Sequence, residues 1–233
     1  MKINNLINLA DTLDEQGLEK EASIIDDFLK TAVKTPMHKC GIKEESVEMH
    51  KRLLEGYQKA SDFYDKEYKK VVKSSNEVDS PNMGKLREIL RGKAHNCNAV
   101  CLHEMYFADV VDSKPYPLER SEKAQEALKA LYEGGSKAFE RELLRAALTA
   151  RNGWVMLNYC TTDGKLYLDI CDLHEIGIIA TSIPVLVLDM WEHAYINDFG
   201  LDKEAYVNWF LSRLDWRNIV KRIQNCQRMR VNV

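Results

Sequence analysis

The stretch Leu188-Asp189-Met190-Trp191-Glu192-His193-Ala194-Tyr195 is the starting point for interpreting this chain. It follows an apolar run, Ile183-Pro184-Val185-Leu186-Val187-Leu188, which predicts a buried strand. Asp189 and His193 lie four residues apart where this strand meets a helix, so both can face one centre. Carboxylates and neutral imidazoles are metal ligands, and mixed sites of this kind suit iron, manganese or zinc. From these two residues alone, a helix-capping Asp beside a surface His is an equally good interpretation.

The composition is that of a globular protein with one good core. The chain has 233 residues, of which 45% are apolar, and its net charge of −3 gives no case for a nucleic-acid partner. No run of apolar residues is long enough for a membrane span, and the first residues do not resemble a signal peptide. The six cysteines form no CxxC pairs. We therefore expect a reducing, cytoplasmic protein without a membrane association.

Three parts follow one another along the sequence. Residues 1–36 carry leucines at helical spacing on both sides of Gly17, which predicts a short helical pair as an N-terminal extension. Residues 37–112 predict two long helices. Residues 113–233 predict helices, then a hairpin of strands over 154–160 and 165–172, the strand before Asp189, and three more helices. A helical half followed by a small sheet with flanking helices is typical of the α+β class.

The two long helices each place a histidine on an apolar face. On the first helix, one stripe contains Val47, His50, Leu54, Tyr57 and Ser61. On the second, His103 shares a face with Ala99 and Phe107. Either histidine alone is by default a hydrogen-bonded core residue, but two on consecutive helices favour a common site. We interpret His95 as a polar surface residue.

These residues together resemble the iron/manganese superoxide dismutases. The stretch from Asp189 to Tyr195 is similar to the family's DxWEHAY signature, and Asn152-Gly153-Trp154-Val155-Met156-Leu157 is similar to its GSGWxWL strand. Asp215-Trp216 is similar to the family's NW pair. The resemblance covers about residues 40–228. It implies a helical hairpin domain followed by an α+β domain with a three-stranded antiparallel sheet.

The resemblance also implies a metal site and a reaction. The implied ligands are His50, His103, Asp189 and His193, holding one iron or manganese ion per subunit. Three imidazoles and one carboxylate form a set without thiolates, which disfavours copper(I) and iron–sulfur clusters. The implied activity converts superoxide to oxygen and hydrogen peroxide by one-electron cycling of the ion. This reaction needs protons from solvent.

Two catalytic residues outside the metal ligands follow from the same resemblance. Tyr57 falls near the family's gateway tyrosine, seven residues after His50 where many members have eight. The glutamine that hydrogen-bonds metal-bound solvent in common members is missing from the helix, where Ala99 stands instead. In the sheet part His174 occupies the matching place. An imidazole ionises nearer neutral pH than an amide does.

Four further residues have roles that the resemblance implies. Trp154 and Trp191 are expected to wall the site. Glu192 resembles the glutamate that reaches the opposite subunit's ligand histidine, which implies a homodimer or a higher oligomer. Lys203 falls where the family has an arginine at the substrate funnel, and a positive charge there attracts an anionic substrate. As isolated residues, Glu192 and Lys203 also fit ordinary surface positions.

Two other classes of function stay open from the sequence. A structural or interaction protein that kept the fold would have eroded ligands, whereas all four positions are intact. Another mononuclear metal-dependent oxidoreductase, such as an oxygenase, would commonly use two histidines and one carboxylate. The third histidine argues against it. The choice between iron and manganese does not follow from these residues, because both ions accept the same ligands.

Overall fold

A computed structural model of the chain describes residues 41–74, 80–111 and 114–228. The helical pair predicted within residues 1–36 lies outside this range. The helices and strands that we number in chain order are α1 (Glu44–Ser74), α2 (Ser80–Asp109), α3 (Glu122–Leu131), α4 (Gly135–Thr149), β1 (Trp154–Cys160), β2 (Leu166–Cys171), β3 (Ser182–Asp189), α5 (Glu192–Phe199), α6 (Lys203–Arg213) and α7 (Trp216–Arg228). A short 3₁₀ helix, Leu118–Arg120, precedes α3.

The first two helices pack against each other as an antiparallel hairpin. Near one end, the rings of His50 and His103 lie 5.0 Å apart, centroid to centroid. Toward the other end, Lys93 Nζ on α2 contacts Asp65 Oδ1 on α1 at 2.6 Å. Residue numbers therefore increase along α1 as those of their contact partners decrease along α2, which makes the two helices antiparallel. The apolar stripe predicted for α1 brings His50 inside, where it is 3% exposed.

The sheet has three antiparallel strands in the order β2-β1-β3. Every residue of the central strand β1 is buried, which fits a strand covered on both faces. In the register of the sheet, Trp154 at the start of β1 is opposite Cys171 on one side and Asp189 on the other. This pairing places Trp154 directly beside the carboxylate that ends β3.

The α+β prediction is confirmed: a helical region is followed by a three-stranded antiparallel sheet with flanking helices. Each predicted helix and strand in the described range is present, with ends that differ by only a few residues. In that same range, no helix combines the length and the apolarity that a membrane span requires.

Two glycines allow the turn after β2 to pack closely on the sheet. Gly153 has φ +87°, and a Cβ built on it would lie 2.0 Å from the carbonyl oxygen of Cys171. Gly177 has φ +101°, and a Cβ there would lie 2.5 Å from the carbonyl oxygen of Ile170. Both positions therefore combine a left-handed backbone with contacts that leave no space for a side chain.

A Gly153→Ala substitution is expected to destabilise the fold strongly. The left-handed backbone alone costs about 1–3 kcal/mol in a non-glycine residue, and the contact with the Cys171 carbonyl adds to this. Urea unfolding followed by circular dichroism measures the change. The matched control is Gly56→Ala on the exposed face of α1, where a Cβ meets nothing within 4 Å. There alanine should stabilise the helix by about 0.5–1 kcal/mol, and a similar gain at Gly153 would contradict the expectation.

Candidate metal centre

Four separate elements bring metal-ligating side chains to one place. His50 comes from α1, His103 from α2, Asp189 from the end of β3 and His193 from the first turn of α5. One potential ligand atom from each residue lies within 4.8 Å of the other three, and all four residues are buried. The sequence placed these residues on different helices and a strand, and the fold makes them a single cluster.

The ligand atoms surround one carboxylate oxygen. Asp189 Oδ2 lies 3.0 Å from Nε2 of His50, 3.3 Å from Nε2 of His193 and 3.8 Å from Nε2 of His103. In the described part of the chain, the Asp189 Oδ2, His50 Nε2 and His103 Nε2 atoms are buried and make no hydrogen bond. Buried polar atoms of a folded protein are nearly always satisfied. A cation among these atoms would satisfy them, so the cluster fits a metal ion.

Hydrogen bonds behind the cluster hold its members in orientation. His103 Nδ1 donates to the Ala99 carbonyl at 2.7 Å, which leaves the lone pair on Nε2 facing the cluster. The other oxygen of Asp189, Oδ1, accepts from the backbone N–H of Trp191 at 2.9 Å. The Tyr206 hydroxyl donates to the Asp189 carbonyl at 2.8 Å. Oδ1 of Asp189 thus fixes the turn that leads into α5, but the N-cap of this helix is Trp191 and His193 is buried, so the interpretation as a helix-capping Asp beside a surface His is wrong.

The environment favours neutral imidazoles around an ionised carboxylate. Burial lowers the pKa of His103 from 6.5 to about 3, and burial also lowers the pKa of His50. Burial alone would raise the pKa of Asp189, but the adjacent His193 and His50 outweigh it and hold this pKa below its ordinary value. Neutral imidazoles and a carboxylate are the protonation states that bind a cation.

His174 and Tyr57 form a hydrogen-bonded unit beside the cluster. The indole N–H of Trp154 donates to His174 Nδ1 at 3.0 Å, and His174 Nε2 lies 3.1 Å from the Tyr57 hydroxyl. Because an indole can only donate, His174 Nδ1 carries no proton and the proton of the neutral ring is on Nε2. His174 therefore donates to the oxygen of Tyr57. The Tyr57 ring lies 5.3 Å from the ring of His103.

The ionisation expected of His174 near neutral pH is not supported. Its side chain is fully buried. Burial, together with the neighbouring His95 and His103, lowers the pKa of His174 well below 6.5. A second proton would also have to replace the hydrogen bond that Trp154 donates. The sequence alone shows the residue type but not this enclosure, and the residue is a neutral donor.

The two predicted tryptophans line the cluster. Trp154 meets the ring of His103 edge-on at 5.0 Å, and Trp191 is stacked with the ring of His193 at 6.3 Å. Both are buried. Indole surfaces at these positions exclude water from the ligand atoms and restrict the rotation of the imidazoles.

Glu192 and Lys203 lie farther from the ligand atoms. Glu192 is in the first turn of α5 and is 6% exposed, so it is not a solvated surface acid. The ammonium of Lys203 donates to the carbonyl of Ala150 at 2.8 Å, directly after α4. A cation at a helix C-terminus is stabilised by the helix dipole. In the structure, Lys203 therefore hydrogen-bonds the C-terminal end of α4.

One pair of residues near the cluster was missed from the sequence. His95 was interpreted as a surface residue, but its ring packs 4.6 Å from the ring of His174 and its Nδ1 lies 2.7 Å from Glu175 Oε2. The signal that could have revealed it is its spacing. His95 precedes His103 by eight residues, which keeps both on one stripe of α2.

The comparisons with known proteins agree with this geometry. Residues 120–222 match the family model of the C-terminal domain of iron/manganese superoxide dismutases. An iron superoxide dismutase of Aquifex aeolicus is 27% identical over 199 residues, covering 83% of this chain and 89% of that protein. An iron superoxide dismutase of Cupriavidus metallidurans is 32% identical over 130 residues, or 54% of this chain and 61% of that protein.

A relative named for manganese is similar over about the same share of this chain as the Cupriavidus metallidurans protein. A manganese superoxide dismutase of Haloferax volcanii is 31% identical over 127 residues, covering 54% of this chain and 62% of that protein. The matched region contains the signature that runs from Asp189 to Tyr195, and the fold brings that signature together with the two histidines of the helical hairpin. Residues 120–222 of this chain are thus similar to the C-terminal domain of the iron/manganese superoxide dismutases, and the similarity to an iron superoxide dismutase extends over 199 residues.

Proposed function

We propose that this protein is a superoxide dismutase that uses one iron or manganese ion per subunit. The observation that carries the proposal is the buried cluster of three imidazoles and one carboxylate, with ligand atoms within 4.8 Å of one another. His50, His103 and His193 would hold the ion through Nε2, and Asp189 would hold it through Oδ2. When bound, the ion would supply the one-electron chemistry by which one superoxide is oxidised to oxygen and a second is reduced to hydrogen peroxide.

The residues of the cluster contribute charge and rigidity. A single carboxylate among three neutral imidazoles leaves a trivalent ion with excess positive charge, which favours the binding of an anion such as superoxide. The hydrogen bond from His103 to Ala99 fixes the ring at 2.7 Å from its acceptor. The buried indoles of Trp154 and Trp191 keep the site partly dry, so electrostatic attraction is screened less than in water.

Tyr57 is proposed to control the proton at the site. Its oxygen accepts from His174 Nε2 at 3.1 Å, so its own O–H proton points away from His174. The phenol can thereby act as a donor toward an anion bound at the cluster. His174 in turn is held by Trp154. The fixed direction of donation along these three residues keeps Tyr57 as the donor, and a proton that Tyr57 gives up is replaced from solvent, because the indole N–H of Trp154 does not ionise.

The proposal is tested by purifying the protein, measuring bound iron and manganese, and following the decay of superoxide. We expect about one ion per chain and rapid decay. Material that stays inactive after reconstitution with each metal in turn would refute the proposed activity. A requirement for an organic cosubstrate would instead favour a different mononuclear oxidoreductase.

A His174→Gln variant assayed with each metal tests the role of His174. The amide keeps a donor for Tyr57 and an acceptor for Trp154 but changes the strength of both hydrogen bonds. We expect the ratio of the iron and manganese rates to shift by about 10-fold, the lower end of the effect of outer-shell changes. His174→Leu, which removes both hydrogen bonds, should lower the rate with either metal. Rates unchanged by the glutamine would show that His174 is not coupled to the site.

We further propose a homodimer in which Glu192 contacts a ligand histidine of the other subunit. What supports it, beyond the family resemblance, is the loop after Glu175, where Ile176, Ile178 and Ile179 are 44–47% exposed. Apolar side chains grouped in this way are typical of interaction surfaces. Sedimentation equilibrium tests the mass in solution, and a monomer would refute the proposal.

The organisation and the location of the chain are proposals of the same kind. Residues 1–36 form an extension, residues 37–112 form a domain with the first two ligands, and residues 113–233 form a domain with the last two. Lys203 is proposed to add positive charge near the substrate path. A cytoplasmic location is supported by the five cysteines of the described residues, which are all free thiols.

A further inference from the structure

His95 and Glu175 connect the helical hairpin to the sheet part of the chain. His95 is on α2, and Glu175 directly follows His174 in the turn after β2. Nδ1 of His95 lies 2.7 Å from Glu175 Oε2. A carboxylate oxygen accepts, so the imidazole donates. The two side chains are 14% and 21% exposed, which places their contact at the border between solvent and the fully buried His174.

The ring of His95 packs against both members of the Tyr57–His174 unit. It meets the His174 ring edge-on at 4.6 Å and lies 6.3 Å from the Tyr57 ring. His174 and Tyr57 in turn both contact the ring of His103, one of the four clustered residues. The ring of His95 is therefore connected to the cluster through the Tyr57–His174 unit.

The hydrogen bond between Tyr57 and His174 joins α1 to the turn after β2. This turn is closed by a backbone hydrogen bond of its own, in which the Asp172 N–H donates to the Ile176 carbonyl at 3.0 Å. A shift of about 1 Å between reacting groups can cost on the order of 100-fold in rate. The position of this turn relative to the helices must therefore be fixed. Glu175, the residue after His174, contacts His95 on α2 and can fix it.

We propose that His95 and Glu175 are positioning residues that hold the His174 ring in hydrogen-bonding distance of Tyr57. The inference rests on the proposed dismutase function. Glu175 fixes the His95 ring, and His95 limits the space into which the ring of His174 can turn. Their effect passes through His174 and Tyr57.

Four variants separate this role from general stability. Glu175→Ala removes the acceptor, and Glu175→Gln restores an acceptor oxygen without the charge. His95→Phe keeps a ring but removes its nitrogens. Asp65→Ala is the matched control, because it removes another carboxylate contact between side chains, the one to Lys93 at 2.6 Å, at a place that does not reach His174.

The first readout is the ring N–H of His174. Protein labelled with ¹⁵N-histidine is loaded with zinc, which accepts the same imidazole and carboxylate ligands and is diamagnetic. We expect the Nε2 proton of His174 to exchange with solvent at least about 10-fold faster in Glu175→Ala and His95→Phe. Glu175→Gln should restore most of the protection, and Asp65→Ala should leave it unchanged.

The second readout is superoxide decay by the iron- or manganese-loaded protein. We expect Glu175→Ala to lower the rate about 10-fold, with Glu175→Gln close to the unchanged protein. Unaltered exchange and an unaltered rate in both Glu175→Ala and His95→Phe would overturn the proposal. If Glu175→Ala does not fold, His95→Phe decides it alone. If the unchanged protein lacks dismutase activity while the exchange responds as expected, the proposed function fails and the positioning role stands.

Discussion

Replacing Asp189 by asparagine is expected to abolish metal binding and superoxide dismutation together. Oδ2 of this residue is the atom that the imidazoles of the cluster surround, at 3.0, 3.3 and 3.8 Å. The amide has no charge and is a weaker ligand, so the three imidazoles lose the only anion among them. Loss of an outer-shell partner costs about 10–100-fold in metal affinity or activity, and loss of this ligand should cost more than that.

The substitution is informative because it should spare the fold. An amide oxygen in place of Oδ1 can still accept from the Trp191 N–H, so the turn into α5 keeps this hydrogen bond. Elemental analysis measures the bound metal, and stopped-flow decay of superoxide measures the rate. Asp202→Asn is the matched control. Asp202 likewise accepts from a backbone N–H where a helix begins, that of Ala205 at 2.9 Å, and it lies outside the cluster. Full metal content in Asp189→Asn would disprove the ligand assignment.

Removing the metal is expected to destabilise the whole fold. The ligands come from α1, α2, β3 and α5, so an ion bound to all four ties both halves of the chain together. At a free-ion concentration about a thousand times the dissociation constant, binding adds about 4 kcal/mol to the free energy of unfolding. For a chain of this size, that equals a shift in Tm on the order of 10 °C. Calorimetry before and after chelation measures it.

The metal-free protein should also become less stable in acid. The pKa of His103 is about 3 in the folded state against 6.5 ordinarily. Between these two values the unfolded state binds a proton that the folded state does not. Stability therefore falls as the pH drops below 6.5, by up to about 1.4 kcal/mol per pH unit from this group, until about pH 3.

The control for the chelation measurement is Asp189→Asn, on which a chelator should have no further effect. A Tm that does not change on chelation of the unsubstituted protein would show that the cluster does not hold the metal. A Tm that is independent of pH in the metal-free protein would show that His103 titrates normally. These two outcomes are separate, because the first concerns the ion and the second concerns the burial of the imidazole.

The elements and the cluster could be predicted because they depend on local patterns. The apolar run before Asp189 fixes β3, and the stripe that contains His50 fixes the inner face of α1. The residue types at the four ligand positions match a known signature. None of this requires knowledge of how the elements pack. The class of fold and the cluster therefore followed from the sequence, together with the family resemblance.

The surroundings of the cluster could not be predicted because they depend on tertiary packing. The state of His174 follows from the indole of Trp154, which reaches it only in the folded sheet. Its burial removed the titration near neutral pH that its residue type suggested. The hydrogen-bond partner of Lys203 is the carbonyl of Ala150, and this contact depends on how the end of α4 packs against α6. His95 hydrogen-bonds Glu175, which is 80 residues away in the sequence. The periodicity of apolar residues does not predict contacts between residues so far apart.

The spread of the ligands over the chain has a consequence for how the protein acquires its metal. During synthesis, the helical hairpin with His50 and His103 leaves the ribosome well before α5 with His193. Two imidazoles without the carboxylate form an incomplete site. The full set exists only when the last part of the chain has been made and docked.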